Sequence, residues 1–268
     1  MYAVEIARSL RRARTWLLAS IVASVPIVIV VAVAANPPRP GASSSTTPFL
    51  FPIVVNGFYA ALSALSVIQP YLLPVVVGLL AGDAIAGEAQ AGTLRALLLR
   101  PVPRGRLVVA KYAVAMTLVA SIVVLTLATG VIAGGTAFGL GPMPTLSGTS
   151  LSTAAALGRL AVTVGFMIAA VSGIASIGIW VSTRTDNGPL AAVLSASVAI
   201  VSQILDRVPS LVRLGGYLPT HGWTGYVGLF RYPVDLLEIR RGLAISAAYT
   251  VVFLTLAILG FQDRDVTM

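Results

Sequence analysis

Residues 107–132 read LVVAKYAVAMTLVASIVVLTLATGVI, and this run holds one charged side chain, Lys111. A bilayer core of about 30 Å needs roughly 20 consecutive apolar residues in an α-helix, so the run is long enough to cross a membrane. A membrane-spanning β-strand would instead appear as about ten residues of alternating polarity, and this run does not alternate. It therefore predicts a transmembrane helix.

The same pattern recurs along the chain. Of its 268 residues, 57% are hydrophobic and 10% are charged, and the mean hydropathy is +0.94, outside the balance of a water-soluble domain. The other predicted spans are residues 16–35, 58–81, 160–182, 189–205 and 243–261. The sequence therefore predicts an all-α polytopic membrane protein with six transmembrane helices, organised as a single domain over residues 1–268.

The N-terminal residues 1–15 form a basic amphipathic segment that carries Arg8, Arg11, Arg12 and Arg14. A secretory signal is the alternative interpretation, but the apolar run that follows is long for a signal. With a cytoplasmic N-terminus, eleven basic residues fall inside and seven outside, and five of those seven lie in the single loop 206–242. The positive-inside rule thus predicts that both termini are cytoplasmic. The net charge of +9 is then explained by orientation and by anionic membrane lipids, without nucleic acid.

The external loops differ in character. Residues 36–57 are rich in proline and serine, residues 134–158 are rich in glycine, and both are interpreted as surface connections. Residues 206–242 interleave arginine with aromatic side chains, namely Tyr217, Trp223, Tyr226 and Phe230. Because this mixture is typical of the membrane interface, short interfacial or re-entrant helices are predicted before the sixth span.

The loop between the second and third spans, residues 82–106, reads GDAIAGEAQAGTLRALLLRPVPRGR. It predicts an amphipathic cytosolic helix over residues 85–99 that is too polar to span and ends before Pro101. Leucines 97–99 would be exposed unless a membrane surface or another protein covers them. Asp83 and Glu88 likewise need a partner or water. The segment is therefore either a membrane-surface helix or a docking helix.

The order of residues in this loop resembles the loop between the second and third helices of ABC type-2 exporter permeases. The resemblance is carried by an acidic residue, a glutamate, Gly-Thr-Leu, Pro-Val-x-Arg and a lysine that enters a helix. The matching positions are Asp83, Glu88, Gly92, Thr93, Leu94, Pro101, Val102, Arg104 and Lys111. It covers about 30 residues in detail, and the six-span layout extends it in outline over the chain.

The resemblance implies a permease of an ABC exporter in a bacterial plasma membrane. It implies that residues 85–99 form a coupling helix that docks in a groove on a separate cytosolic ATPase. Two ATPase copies, holding ATP and Mg, would serve this chain and a second copy of it or a related permease. The coupling residues on this interpretation are Asp83, Glu88, Gly92, Thr93, Leu94, Arg95, Leu98, Pro101 and Arg104.

The sequence contains no site for ATP hydrolysis. A P-loop lysine follows glycine and precedes serine or threonine, because it must reach the phosphates. The only lysine, Lys111, lies between Ala110 and Tyr112. We therefore expect this chain to be a transport subunit rather than an enzyme, to bind no cofactor of its own, and to take its energy from another polypeptide.

Small polar side chains and prolines within the spans are candidates for a translocation path. They are Gln69, Pro70, Pro74, Ser195, Ser202 and Gln203. The prolines should also kink the second span, and the serines could instead bond their own helix carbonyls or a neighbouring helix. A path without fixed charge suggests an apolar or amphipathic substrate, such as a lipid or a drug-like molecule.

Two other functions were weighed against the exporter. An ion-coupled transporter or channel generally has acids or histidines near the midplane, and none of the six predicted spans contains one. A membrane-bound enzyme or anchor subunit is the other alternative, but the single histidine, His221, is interpreted as structural. Gly130 and Gly134, like Ala169 and Gly173, are spaced as small residues that let two helices approach closely.

Overall fold

A computed structural model describes residues 2–37, 49–93 and 103–262 of the chain. Within these ranges, six helices are long and apolar enough to cross a membrane. A short helix precedes them, α1 (Tyr2–Leu10). The elements that follow are α2 (Ala13–Ala35), α3 (Phe58–Val77), α4 (Asp83–Gln90), α5 (Arg104–Phe138), β1 (Met143–Pro144), β2 (Ser150–Leu151), α6 (Thr153–Arg184), α7 (Gly188–Asp206), α8 (Val212–Gly215) and α9 (Leu237–Gln262).

The observed helices extend beyond the apolar runs that predicted them. The helix α5 has 35 residues, which at 1.5 Å per residue is about 50 Å long, well beyond the thickness of a hydrocarbon core. The bundle has two ends, which we name by their loops. The near end holds Ala13, Gln90, Arg104, Gly188 and Gln262, and the far end holds the loops after α2, α5 and α7.

The second span differs from its prediction. A π-helical turn, Gly78–Gly82, joins α3 to α4, so one helical unit runs from Phe58 to Gln90. The sequence instead predicted a separate cytosolic helix over residues 85–99. Residues 85–90 are helical but continue the second helical unit, and their cytosolic position stays a prediction. Ser182 of α6 accepts hydrogen bonds from the backbone N–H groups of Ile85 (3.0 Å) and Ala86 (2.9 Å), which stabilises the chain where the helix changes winding. Residues 94–102 lie outside the described ranges.

Small residues bring helices into backbone contact, as the sequence predicted. A Cβ atom added to Gly134 of α5 would lie 2.1 Å from the carbonyl oxygen of Gly57, and one added to Gly130 would lie 2.5 Å from Ala61 Cα. A Cβ on Gly173 of α6 would approach Tyr249 Cβ of α9 to 3.1 Å. Glycine has no side chain, and the close packing of α3 with α5 and of α6 with α9 therefore depends on glycine at these positions.

The far end is closed by loops that pack against one another. The hairpin β1–β2 lies beside the aromatic side chains of Phe49, Tyr59, Tyr226 and Phe230. The loop before α9 contains two 3₁₀ segments, Pro209–Leu211 and Trp223–Phe230, as well as α8.

The aromatic side chains of that loop do not all lie at the surface. Trp223 is buried and donates a hydrogen bond to the Ala170 carbonyl at 3.1 Å, and Tyr226 and Phe230 are buried as well. Tyr217 is 77% exposed. Most of this aromatic set therefore fills the core of the far end, and the interfacial or re-entrant position of the short helices stays a prediction.

Candidate functional site

A buried lysine lies at the centre of the near end. Lys111 Nζ of α5 lies 2.5 Å from Glu5 Oε2 of α1 and 2.6 Å from Glu88 Oε1 of α4. The side chains of all three are at least nine-tenths buried. One ammonium group with three N–H donors thus binds two carboxylates, and it joins three helices that are distant in sequence.

The N-terminal helix is held in place by side chains of the residues that follow it. Thr15 Oγ1 donates to the Ser9 carbonyl (2.8 Å), and Trp16 Nε1 donates to the Leu10 carbonyl (2.7 Å). These bonds satisfy carbonyl groups that a helix leaves free at its C-terminus. At its other end, Tyr2 shares a hydrogen bond with Thr117 of α5 at 2.6 Å. The contacts place Glu5 against Lys111.

Two arginines complete the arrangement. Arg8 Nη1 donates to Glu88 Oε1 at 3.2 Å, and Arg14 of α2 pairs with Asp83 of α4. Asp83 fits against Gly188 so closely that a Cβ there would lie 2.1 Å from its Oδ1. We call these residues the near-end charge cluster, and its members are Glu5, Arg8, Arg14, Asp83, Glu88 and Lys111.

A cavity of about 30 Å³ lies within this cluster, lined by Glu5, Arg14, Glu88 and Lys111 among others. Among the described residues, Arg14 Nε and Glu88 Oε2 have no hydrogen-bond partner. One is a donor and the other an acceptor, and both belong to residues that line the cavity. The volume accommodates one water molecule, which suits a polar site of this kind.

The cluster explains the two acids that the sequence singled out. The expectation that Asp83 and Glu88 need partners is confirmed, since Arg14 pairs with the first and Lys111 with the second. Glu88 is 3% exposed, so the structure places it inside the bundle and not on an open surface. No sequence pattern assigned a role to Glu5, although Lys111, as the single charge in a long apolar run, indicated that a buried partner exists.

The next matched positions end the second span. Gly92 has a φ of +68°, a left-handed conformation that suits glycine and commonly follows a helix C-terminus. Its N–H donates to the Ala89 carbonyl (3.0 Å), and Thr93 Oγ1 donates to the Glu88 carbonyl (3.3 Å). The Gly-Thr pair therefore stops the helix before the loop to α5.

Other side chains attach both ends of that loop to the rest of the bundle. Before the loop, Gln90 Oε1 accepts a hydrogen bond from the Gly188 N–H at the start of α7 (3.0 Å). After it, Arg104 Nη1 donates to the Gln262 carbonyl (2.9 Å) at the end of α9, where a cation is favoured by the helix dipole. The other predicted coupling residues lie outside the described ranges, and their docking role stays a prediction: Leu94, Arg95, Leu98 and Pro101.

The path candidates on α3 and α7 meet each other. Gln203 Nε2 lies 3.2 Å from the carbonyl oxygens of Gln69 and Pro70. The Pro70 carbonyl would normally bond the N–H four residues later, but Pro74 has no N–H. Gln203 of α7 therefore supplies the donor that Pro74 cannot, through a hydrogen bond between the two helices.

We expect Gln203→Leu to lower the free energy of unfolding by about 1 kcal/mol, because it leaves the partly buried Pro70 carbonyl without a donor. The matched control is the double variant Gln203→Leu with Pro74→Ala, since alanine restores an N–H within α3. Reversible unfolding in mixed micelles would measure both. If Gln203→Leu costs as much with Pro74→Ala as without it, the bond to the Pro70 carbonyl is not what stabilises this site.

The predicted serines bond within the chain. Ser195 Oγ donates to its own helix at the Ala191 carbonyl (2.6 Å), and Ser202 shares a hydrogen bond with Thr220 at 2.7 Å. Nearby, a cavity of about 60 Å³ lies between α3, α7 and the far-end loop. Its lining residues are Ser66, Gln69, Pro70, Gln203, Arg207, Thr224, Tyr226 and Val227.

Residues 4–184, more than half of the 268-residue chain, match a family model described as ABC-2 family transporter protein. All six members of the near-end charge cluster lie within the matched residues. No curated protein matches the chain.

Proposed function

The chain belongs to the ABC-2 family of transporter proteins, and from this premise we propose that it is the permease subunit of an ATP-driven exporter whose ATPase is a separate polypeptide. The near end of the bundle is the side on which that ATPase acts. The near end and both chain termini then lie on the cytoplasmic side of a bacterial plasma membrane. Two permeases and two ATPase copies form the working complex, and ATP and Mg bind to the ATPases.

The observation that carries this proposal is the attachment of the loop between α4 and α5 at both ends. Before the loop, α4 is bonded to α6 through Ser182 and to α7 through Gln90. After the loop, α5 is bonded to α9 through Arg104 and to α1 through Lys111. A force on the loop is therefore applied to most of the bundle at once, as transmission from an ATPase requires.

The substrate proposal rests on the far-end cavity. It combines two glutamines, Gln69 and Gln203, with Arg207 and the apolar Val227. We therefore favour an amphipathic substrate, a lipid or drug-like molecule with a polar group, over a purely apolar one. The path itself lies between two permeases, so that α3 and α7 each contribute one wall.

One observation favours the ion-coupled alternative more than the sequence did. Asp83 and Glu88 belong to a helix that is continuous with the second span, so acids are present in a candidate span. Each is paired with a basic side chain, which opposes the ion release and rebinding that such transport needs. Transport that continues with an ATPase unable to hydrolyse ATP would support this alternative.

The decisive test copurifies this chain with a candidate ABC ATPase from a neighbouring reading frame that contains a Walker motif. Both would be placed in lipid nanodiscs, and ATP turnover and ATPase affinity compared for the wild type and Leu94→Asp. We expect Leu94→Asp to weaken ATPase binding about thirtyfold, the effect of removing an interface hot spot worth about 2 kcal/mol.

The matched control is Leu140→Asp, a leucine of the far end that is 45% exposed. This variant should bind the ATPase and turn over like the wild type. Equal losses in both variants would point to misfolding rather than docking. An ATPase that binds Leu94→Asp with full affinity would contradict the assignment of this loop as the docking element.

A further inference from the structure

We propose that a groove between the start of α2 and α4 binds the phosphate group of an anionic phospholipid, with Arg12 as its main ligand. The groove lies at the near end, is open to the surface of the protein, and has a volume of about 580 Å³. Its lining residues are Arg12, Ala13, Arg14, Asp83, Gly87, Gln90 and Ala91. The proposal is independent of the transported substrate.

Of the two arginines that line the groove, Arg12 has no direct side-chain partner among the described residues. Arg14 is paired with Asp83, whereas among the described residues Arg12 makes no side-chain hydrogen bond or salt bridge. Partial burial, followed by the positive charges of Arg14 and Arg8, lowers the pKa of Arg12 below its usual value, and the negative charges of Glu88 and Asp83 offset only part of this effect. A positive charge in this position is thus under strain that a bound anion would relieve.

The backbone offers donors at the same place. Arg12 is the residue that precedes α2, and its side chain makes no capping hydrogen bond. Ala13 and Arg14 lie in the first turn of α2, where helical N–H groups have no partner within the helix and the helix dipole favours an anion. A guanidinium group also matches a phosphate with two parallel hydrogen bonds.

An apolar stripe on α2 begins at this groove and argues for a lipid. Ala13 lines the groove, and the exposed residues Leu17 (63%), Ile21 (54%) and Val28 (63%) follow at spacings of four or seven on the same face. Trp16 is 59% exposed in the first turns of α2, and tryptophan is enriched where membrane proteins meet lipid headgroups. A lipid phosphate in the groove would therefore have its acyl chains along this stripe, whereas an acidic protein segment would leave the stripe uncovered.

Native mass spectrometry of the detergent-purified protein, titrated with phosphatidylglycerol, tests the proposal. We expect Arg12→Gln to weaken lipid binding about fivefold, as the loss of one basic contact worth about 1 kcal/mol predicts. The matched control is Arg11→Gln, which removes the same charge from an exposed neighbour outside the groove. It should weaken binding less than twofold, and thermal unfolding would check that both variants fold.

Two further ligands separate the sources of the phosphate. Glycerol phosphate carries the headgroup without chains and should compete poorly, and phosphatidylcholine, which has no net charge, should bind more weakly than phosphatidylglycerol. Equal effects of Arg11→Gln and Arg12→Gln would overturn the proposal in favour of diffuse surface charge. If glycerol phosphate competes at the same concentration as phosphatidylglycerol, the apolar stripe does not contribute to binding. If Arg12→Gln loses ATPase binding but keeps lipid binding, the groove binds the partner protein instead.

Discussion

Replacing Lys111 with methionine is expected to lower the free energy of unfolding by about 3–5 kcal/mol, because two buried carboxylates lose their common partner. Glu5 and Glu88 would then face each other across a space that excludes most solvent. Methionine keeps most of the length of the side chain and removes its charge, so the loss reports chiefly the charge. Reversible unfolding in mixed micelles, followed by circular dichroism, measures it.

The control variant removes all three charges together, with Glu5→Gln and Glu88→Gln added to Lys111→Met. Neutral amides can bond one another and cost far less to bury than unpaired carboxylates, so most of the lost stability should return. If the triple variant is as unstable as Lys111→Met alone, the electrostatic account of the cluster is wrong. A Lys111→Met variant as stable as the wild type would contradict the buried contacts themselves.

The second large effect is expected from Gly134→Ala. The added methyl group would lie 2.1 Å from the Gly57 carbonyl oxygen, and a backbone atom cannot rotate away as a side chain can. The helices α3 and α5 must then separate, at a cost near the upper end of about 1–3 kcal/mol for overpacking. Thermal unfolding in nanodiscs would record the loss.

Gly165→Ala is the matched control. Gly165 is an exposed residue of α6, and no atom lies within 4 Å of a Cβ built there. Since alanine favours a helix over glycine by up to about 1 kcal/mol, this variant should be neutral or slightly more stable. Gly134→Ala and Gly165→Ala with the same unfolding temperature would mean that α3 and α5 do not approach as closely as the structure has them.

The sequence was enough to predict the six spans, because long apolar runs have no other stable arrangement in a bilayer. The helices continue past residues 81 and 107, where the predicted second span ends and the predicted third span begins. The polar turn beyond residue 81 lies within the bundle, where Lys111 of the third span neutralises Glu88. A hydropathy pattern counts the free-energy cost of burying each charged residue alone, and it does not include the stabilisation by an oppositely charged partner.

The near-end charge cluster was beyond sequence reasoning for a related reason. Glu5 and Lys111 are 106 residues apart, and Arg14 and Asp83 are 69 apart, so no local spacing brings them together. Gln203 illustrates a different limit. It was singled out as a polar side chain within a span, but only the position of α7 beside α3 reveals its bond to the Pro70 carbonyl.

The chain has a single lysine, and its buried position allows chemical labelling of its amine to detect opening of the near end. Acylating reagents modify an amine that is uncharged and accessible, whereas the amine of Lys111 is enclosed with two carboxylates. In the closed arrangement the side chain should therefore resist such reagents. Any increase in its labelling rate during ATP turnover would measure how often the near end opens, without an engineered probe.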